Sequence, residues 1–560
     1  METTTTRLDS LRLGSFTLET LIGKGGMGQV WRGHHTTQKV PIAVKVLSRQ
    51  HNKEALKRRR FSREVQALAG LDHPYIITVF DHGVVTPDTA RCSEGALEPG
   101  SLYLVMELAE GAFSRSSAPQ DWVGLRSVLI PLLEALAHAH ARSVIHRDIK
   151  PGNVLVTRDL NGAQQLKLTD FGIAFAMDDP SAREDEEVRV VGSVRYMAPE
   201  QLLGHWRDQG PWTDLYALGC MAYQLLTGKP PFGHPQSPPR EVAQQHLRHP
   251  VPRPQNRFPT PIGFERWLGT LLAKTPEQRF RMAADALEAL KALDAPAIPD
   301  AQVSLFTSAS LTPSSPQFPA WHSTRDLSAI ATPSGVGLGL YGLRSIPVVG
   351  RDAEKRVLWD TLRQVCASRK AHTVILKGAA GLGKDRLAEW LCRQAHECGL
   401  ALRARALHDR EQGRHTGLRG LVAEQLQVEG LSRNQALTRV KLLMRRRGVQ
   451  EAYWWLSLAA IACPEPAPQR SEGSGGFRFR DDQERHQAVG FLLREMCRER
   501  PVIVWLDDVQ WGADALRFVR FMLQAQESEP CPLVMVSKSA RVVGDRGTSS
   551  SRTVRTNMSG

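Results

Sequence analysis

The chain holds 560 residues, 42% hydrophobic and 23% charged, with 72 Lys+Arg against 58 Asp+Glu for a formal net charge of +14. That length calls for more than one core, and the balance excludes a wholly disordered, collagen-like or disulfide-scaffold chain. The charge is uneven: residues 1–340 hold 36 basic and 34 acidic side chains, residues 341–560 hold 36 and 24. A basic half invites nucleic acid, but no interleaved aromatic platform accompanies it, so it reads as an Arg-rich solvated helical surface. Eight scattered cysteines with no Cys-x-x-Cys pair read as reduced thiols of a cytoplasmic protein. The opening Met1-Glu2-Thr3-Thr4 has no basic or apolar leader character. No run reaches the roughly 18 uninterrupted apolar residues of a membrane span, so no membrane partner is expected.

Residues 1–15 read as an N-terminal tail and residues 16–293 as a first domain. Within it, Leu21-Ile22-Gly23-Lys24-Gly25-Gly26-Met27-Gly28-Gln29-Val30 fits a strand, a glycine turn and a second strand. Glycines let backbone N–H groups close over phosphates with no Cβ in the way. A dinucleotide-binding turn would open a helix at this point, whereas Val30 continues as a strand, which favours a hairpin lid. Ile42-Ala43-Val44-Lys45 places a lysine on a strand, and Glu64 lies in the helical stretch 61–69, able to pair with it. His146-Arg147-Asp148-Ile149-Lys150-Pro151-Gly152-Asn153 supplies a carboxylate, an ammonium and an amide within a few residues. Asp170-Phe171-Gly172 follows an apolar strand, and Ala198-Pro199-Glu200 comes later.

Each of these motifs is ambiguous alone; their order is not. The segment resembles a bacterial Hanks-type serine/threonine protein kinase domain, which implies an α+β bilobal fold with a small sheet lobe (about 16–108) over a helical lobe. By that resemblance Gly23, Lys24, Gly25, Gly26, Gly28, Val30, Ala43, Lys45 and Glu64 would contact or position ATP. Backbone groups from Glu107 to Ala109 would meet the adenine, with Met106 at the back of the pocket. Asp148 would orient the substrate hydroxyl, Lys150 would touch the transferring phosphate, and Asn153 and Asp170 would hold Mg²⁺, a hard cation that prefers oxygen ligands. His146 is expected as a packed residue rather than a base. Asp214 would brace the catalytic loop and Arg279 would pair with Glu200, both structurally. The implied reaction is transfer of the ATP γ-phosphoryl group to serine or threonine of protein substrates, the chain itself included. Arg147 implies control by a phosphate on the following loop, whose hydroxyls are Ser181, Ser193 and Tyr196. The run Glu184-Asp185-Glu186-Glu187 is expected to stand in part for that phosphate.

Residues 294–346, rich in Pro, Ser, Thr and Gly, read as a linker. Residues 347–538 read as a second domain, and residues 539–560 as a disordered tail. His372-Thr373-Val374-Ile375-Leu376-Lys377 is a buried-strand pattern running into Gly378-Ala379-Ala380-Gly381-Leu382-Gly383-Lys384-Asp385, a phosphate-binding P-loop with aspartate in place of the metal-ligating Ser or Thr. Val502-Ile503-Val504-Trp505-Leu506-Asp507-Asp508 is a strand ending in two carboxylates. Together these resemble the α/β AAA/STAND-type P-loop ATPase modules that bacteria fuse to such kinases, which implies nucleotide at Gly378, Gly383, Lys384 and Asp507. The chain stops about fifty residues past Asp508, so the expected module is shortened, without a full helical lid. Asp385 adds about 4 kcal/mol of repulsion per unit-charge pair at ~4 Å and an effective dielectric of 20. The module is therefore expected to serve as a regulatory unit with a partner of its own, and not as a competent ATPase.

Two other classes remain open: a kinase-shaped scaffold without catalysis, and a P-loop switch with an accessory kinase. The intact set Lys45, Glu64, Asp148, Asn153 and Asp170 opposes the first, and Asp385 opposes the second.

Overall fold

The computed structural model describes residues 7–25, 28–47, 65, 68, 70–114, 118–158, 162–171, 194–234, 236–293, 348–408, 416–464, 477–527, 530–539 and 553–557. The chain forms two compact units. The first begins with a six-stranded antiparallel sheet of β1 (Arg7–Leu13), β2 (Phe16–Gly25), β3 (Gly28–His35), β4 (Pro41–Leu47), β5 (Val79–Val84) and β6 (Leu102–Glu107), in the order β1-β2-β3-β4-β6-β5. The expectation of an N-terminal tail over 1–15 is corrected here. Arg7–Leu13 pairs with β2, Leu13 opposite Phe16, because Leu11 and Leu13 alternate into the core beside Phe16, Leu18 and Trp31.

Strand β4 has an apolar core on each side. Successive side chains of a strand point to opposite faces. Ile42, Val44 and Val46 join one core with Phe80 and Val105, while Ala43 and Leu47 join the large core that continues into the helical lobe. Lys45 shares the face of Ala43 and Leu47 and is buried there. A short helix, α1 (Pro87–Cys92), sits between β5 and β6, capped by the Thr86 hydroxyl accepting from the Thr89 N–H.

The helical lobe follows. Its central helix α2 (Trp122–Ala141) starts where the Asp121 carboxylate accepts the Gly124 N–H at 2.7 Å, satisfying a donor the helix itself leaves unpaired. This helix is long and apolar enough to cross a membrane by length and composition, and its buried side, from Leu125 through Ala141, packs in the core of the lobe. A small sheet of β7 (Gly111–Ala112), β8 (Val154–Arg158) and β9 (Gln164–Leu168) carries the loops of interest. Helix α3 (Pro211–Thr227) opens on Pro211, whose missing N–H costs nothing in the first turn, and closes on Gly228 in the left-handed conformation. Helices α4 (Pro239–Arg248), α5 (Phe264–Leu271) and α6 (Ala283–Ala292) complete the lobe.

The second unit is built on a five-stranded, wholly parallel sheet: β10 (His372–Lys377), β11 (Leu402–Leu407), β12 (Val502–Asp507), β13 (Leu533–Ser539) and β14 (Thr553–Asn557), in the order β11-β12-β13-β10-β14. Both faces are covered, which is why its inner strands β10, β12 and β13 read as largely apolar runs. Ile503, Val534 and Val536 face a core shared with α7 (Asp352–Ser368) and α8 (Lys384–Glu397). Val502, Val504, Leu533 and Met535 face the other core, shared with α9 (Thr416–Gln425), α10 (Arg433–Arg446), α11 (Ala452–Ala462) and α12 (Asp482–Cys497), and α13 (Ala513–Gln524) packs there through Phe518 and Met522. Helix α11, apolar through most of its length, buries Trp455 and residues 457–462 in that core. The disordered tail expected over 539–560 is corrected at its far end, since Thr553–Asn557 pairs along β10 from Thr373 to Lys377. The expected linker, 294–346, lies outside the described residues.

Candidate active site

In the first unit the loop before β8 gathers the predicted catalytic residues. The Asn153 side-chain amide donates to the Asp148 backbone carbonyl at 2.7 Å and to its carboxylate at 3.0 Å, and the Lys150 ammonium reaches the same carboxylate at 2.7 Å. The Thr169 N–H donates to the Asn153 carbonyl at 3.0 Å, tying this loop to the residue that precedes Asp170. Asp170 in turn accepts from the Lys45 ammonium at 2.7 Å. Lys45, Asp148, Lys150, Asn153 and Asp170 therefore form one linked cluster, contributed by β4 and by the loops flanking the β8–β9 hairpin.

The supports of that cluster are buried. Asp214, fully enclosed on α3, accepts the His146 N–H at 2.8 Å and the Arg147 N–H at 2.7 Å and meets His140 Nε2 at 2.8 Å. Burial alone would push the Asp214 carboxyl up; the hydrogen bond and charge of His140, with the adjoining His146, hold it below the ordinary carboxylate range. His146 is a packed residue, as expected. Its Nε2–H donates to the Thr169 carbonyl at 2.8 Å, its ring lies 4.5 Å from that of Phe171, and burial lowers its pKa. Arg279 and Glu200 form the expected pair, two parallel bonds of 2.8 and 3.0 Å, with the Thr213 hydroxyl donating to the same carboxylate.

On the glycine turn, Gly25 faces Gly28 across the β2–β3 pair and Val30 faces Lys45 across β3–β4. Gly28 has φ +148°, and a Cβ there would come within 2.0 Å of the Val46 carbonyl oxygen, so only glycine fits. Ala43 lies opposite Met106, and Leu108 to Glu110, which includes Ala109, connect β6 to β7. The Glu107 side chain accepts from the Lys167 ammonium at 2.7 and 2.9 Å, a buried pair the sequence reading did not anticipate. Gly26, Glu64, Ser181, Ser193 and the acidic run 184–187 lie outside the described residues. Among the described residues the partner of Lys45 is Asp170. Asp170 keeps a second carboxylate oxygen, and Asn153, its amide hydrogens committed to Asp148, keeps its carbonyl oxygen. Both are the hard oxygen donors that a divalent cation such as Mg²⁺ requires.

In the second unit β10 leads through Gly378–Gly383 into α8. Gly381 and Gly383 adopt left-handed φ of +85° and +82°. The Lys384 ammonium folds back to donate to the Gly378 and Ala379 carbonyls at 2.9 and 2.6 Å. By strand alternation Asp507 lies on the face of Ile503 and Trp505, and Lys538 on the face of Val534 and Val536, which is the face that carries α8. At the carboxyl ends of these parallel strands, where ligands of such sheets bind, Lys538 lies 2.7 Å from Asp385, 2.7 Å from Asp507 and 3.1 Å from Asp508. Arg405 adds a second cation on Asp507 at 2.6 Å. Burial works against the Lys538 charge, but the three carboxylates push its pKa above the ordinary lysine range. Burial likewise raises Asp507, and its two cations outweigh this and hold it low. These residues do not fit Mg²⁺. The hydroxyl ligand is absent, and an ammonium already occupies the carboxylates that would replace it. Lys538 went unnoticed in the sequence because it has no motif; its one signal is that it ends an apolar strand.

Residues 16–290 match the protein kinase domain family and residues 347–536 the AAA ATPase domain family. The chain is similar to serine/threonine-protein kinase PknF of Mycobacterium tuberculosis, 34% identical over 281 residues, covering 49% of this chain and 55% of that one. It is also similar to serine/threonine-protein kinase PknA of the same organism, 36% identical over 286 residues, 50% of this chain and 62% of that one. A third relative is the probable serine/threonine-protein kinase PknB of Corynebacterium glutamicum, 35% identical over 280 residues, 48% of this chain and 41% of that one. The chain thus spans about half the length of the curated relatives it matches. Residues 16–290 are thus a protein kinase domain, similar to those of bacterial serine/threonine kinases, and residues 347–536 an AAA ATPase domain.

Proposed function

We propose that the first unit is a serine/threonine protein kinase that transfers the γ-phosphoryl group of ATP to hydroxyls of proteins, its own chain included, in the cytoplasm. The observation that carries this reading is the linked cluster Lys45–Asp170 and Thr169–Asn153–Asp148–Lys150, which joins both lobes at one point. Phosphoryl transfer needs alignment and charge neutralisation more than covalent help. Lys45, buried on β4, is placed to hold the phosphates, and Lys150 to neutralise the group in flight. Asp148, fixed by Asn153 and Lys150, orients the incoming hydroxyl and receives its proton. Asp170 and Asn153 would hold Mg²⁺, which when bound neutralises the phosphate oxygens. The second unit would act as a regulatory unit with its own partner.

The test uses the full chain with labelled ATP, Mg²⁺ and a generic protein substrate. Wild type is expected to label serine and threonine, and Lys45→Met to lose that labelling. Equal incorporation by the two, or label found only on tyrosine, discards the reading.

A further inference from the structure

The second unit combines an intact phosphate loop with a cation already in the metal's place. We propose that Lys538 is a built-in substitute for the divalent ion, so that this unit binds a nucleoside triphosphate in metal-free form and retains it without hydrolysis. The inference is independent of the kinase reading, since it rests on residues of the second unit alone.

The argument begins with charge. A P-loop places backbone N–H groups, the positive end of α8 and the Lys384 ammonium around phosphates. In the ordinary arrangement a hydroxyl after the lysine and the carboxylate ending the neighbouring strand hold a metal ion beside those phosphates. Here Asp385 replaces the hydroxyl and adds a negative charge. Left alone with Asp507 and Asp508 it would repel a polyphosphate. Lys538 removes that objection by bridging all three at 2.7, 2.7 and 3.1 Å, with Arg405 on the outer side of Asp507. The substitution at 385 and the lysine at 538 are therefore two halves of one arrangement, a carboxylate at the loop and a tethered ammonium to hold it.

Two consequences follow. A divalent ion entering the site would have to displace an ammonium bound by Asp385, Asp507 and Asp508. A bound triphosphate, by contrast, finds Lys384 as its cation beside carboxylates that Lys538 has already neutralised, with no metal required. The Asp507 and Asp508 carboxylates are likewise committed. Asp507 holds two cations, and Asp508 holds Lys538 and the Gln510 amide at 2.9 Å.

The experiment is photolabelling of the full chain with 8-azido-ATP, followed by proteolysis and separate scoring of peptides from residues 1–340 and 341–560, so that the kinase site is read apart. ATP competes in excess magnesium or in EDTA. For peptides of 341–560 the competing ATP concentration is expected to differ less than about threefold between the two conditions. Lys538→Gln, which releases the three carboxylates, is expected to weaken ATP about tenfold in EDTA and to recover in magnesium. Lys538→Arg, which keeps a cation, is expected to behave as wild type and serves as the folding control. A wild-type requirement for magnesium beyond that threefold margin overturns the proposal, as does an absence of labelling in 341–560. Turnover of ATP by the Lys45→Met full chain would overturn the retention part.

Discussion

Asp214 lends itself to a quantitative test, because it is fully enclosed and its partners are the buried His140 and His146 and the half-buried Arg147. In Asp214→Ala the His146 and Arg147 N–H groups, at 2.8 and 2.7 Å in the native chain, lose their acceptor, and His140 loses its own partner. An orphaned buried donor costs about 1–3 kcal/mol, so two backbone donors and the imidazole together come to roughly 3–9 kcal/mol. That is a large share of the about 5–15 kcal/mol by which a domain is stable. Asp214→Asn keeps one acceptor and is expected to lose roughly half as much. Hydrogen exchange followed by mass spectrometry reads the effect locally: amides of 144–153 should lose protection, while peptides of the second unit should not change. Kinase labelling should fall with it, because this backbone carries Asp148. Unchanged exchange at 146 and 147, together with a denaturation midpoint shifted by less than about 1 kcal/mol equivalent, would refute the bracing argument. The charge also fixes a pH dependence. With its folded pKa depressed, Asp214 contributes fully above the ordinary aspartate value of about 3.9, and that contribution is lost as pH falls through the lower folded value.

Arg279→Met strands Glu200 in the core with Thr213 as its remaining partner and should cost about 3–5 kcal/mol by urea denaturation, part of it recovered in the Glu200→Gln/Arg279→Met double variant. His246, held neutral with its pKa pushed down to about 3 by burial and the Lys274 ammonium, gives a second pH signature. The unfolded chain protonates it near 6.5, so stability is intact above that value and declines below it, by roughly 2 kcal/mol at pH 5. His246→Gln should flatten the melting profile between pH 7 and 5, and an unaltered slope would count against this assignment. Gly28→Ala, with its Cβ driven toward the Val46 carbonyl at a φ of +148°, should weaken ATP binding to the first unit by about tenfold or more, measured by competition on peptides of 1–340.

What was legible in the sequence follows from what phosphate chemistry demands. Asp148, Lys150 and Asn153 meet at the one Asp148 carboxylate, so they crowd into six residues of chain. Asp170 and Lys45 are distant, yet each sits at a strand with a recognisable local pattern. Lys538 is different. It meets carboxylates more than a hundred residues upstream in one case, and only strand alternation, known once β12 and β13 are paired, puts it on the face of Asp507. Lys167 and Glu107 were hidden for the same reason, being single charges on different strands. The end strands escaped because an edge strand has one neighbour and weak composition. In Arg7–Leu13 the polar–apolar alternation is broken at Asp9-Ser10, and Thr553–Asn557 shows a single apolar position, Val554.

The two-sided burial of β4 has a consequence for how this chain can change length. A residue gained or lost between Ile42 and Lys45 would turn the lysine toward Phe80 and Val105 and swing a valine into the place opposite Asp170. Insertions can be absorbed instead in the exposed turn at Thr37–Lys39. Length variants of this unit should therefore tolerate changes on one side of Pro41 and lose phosphotransfer outright on the other.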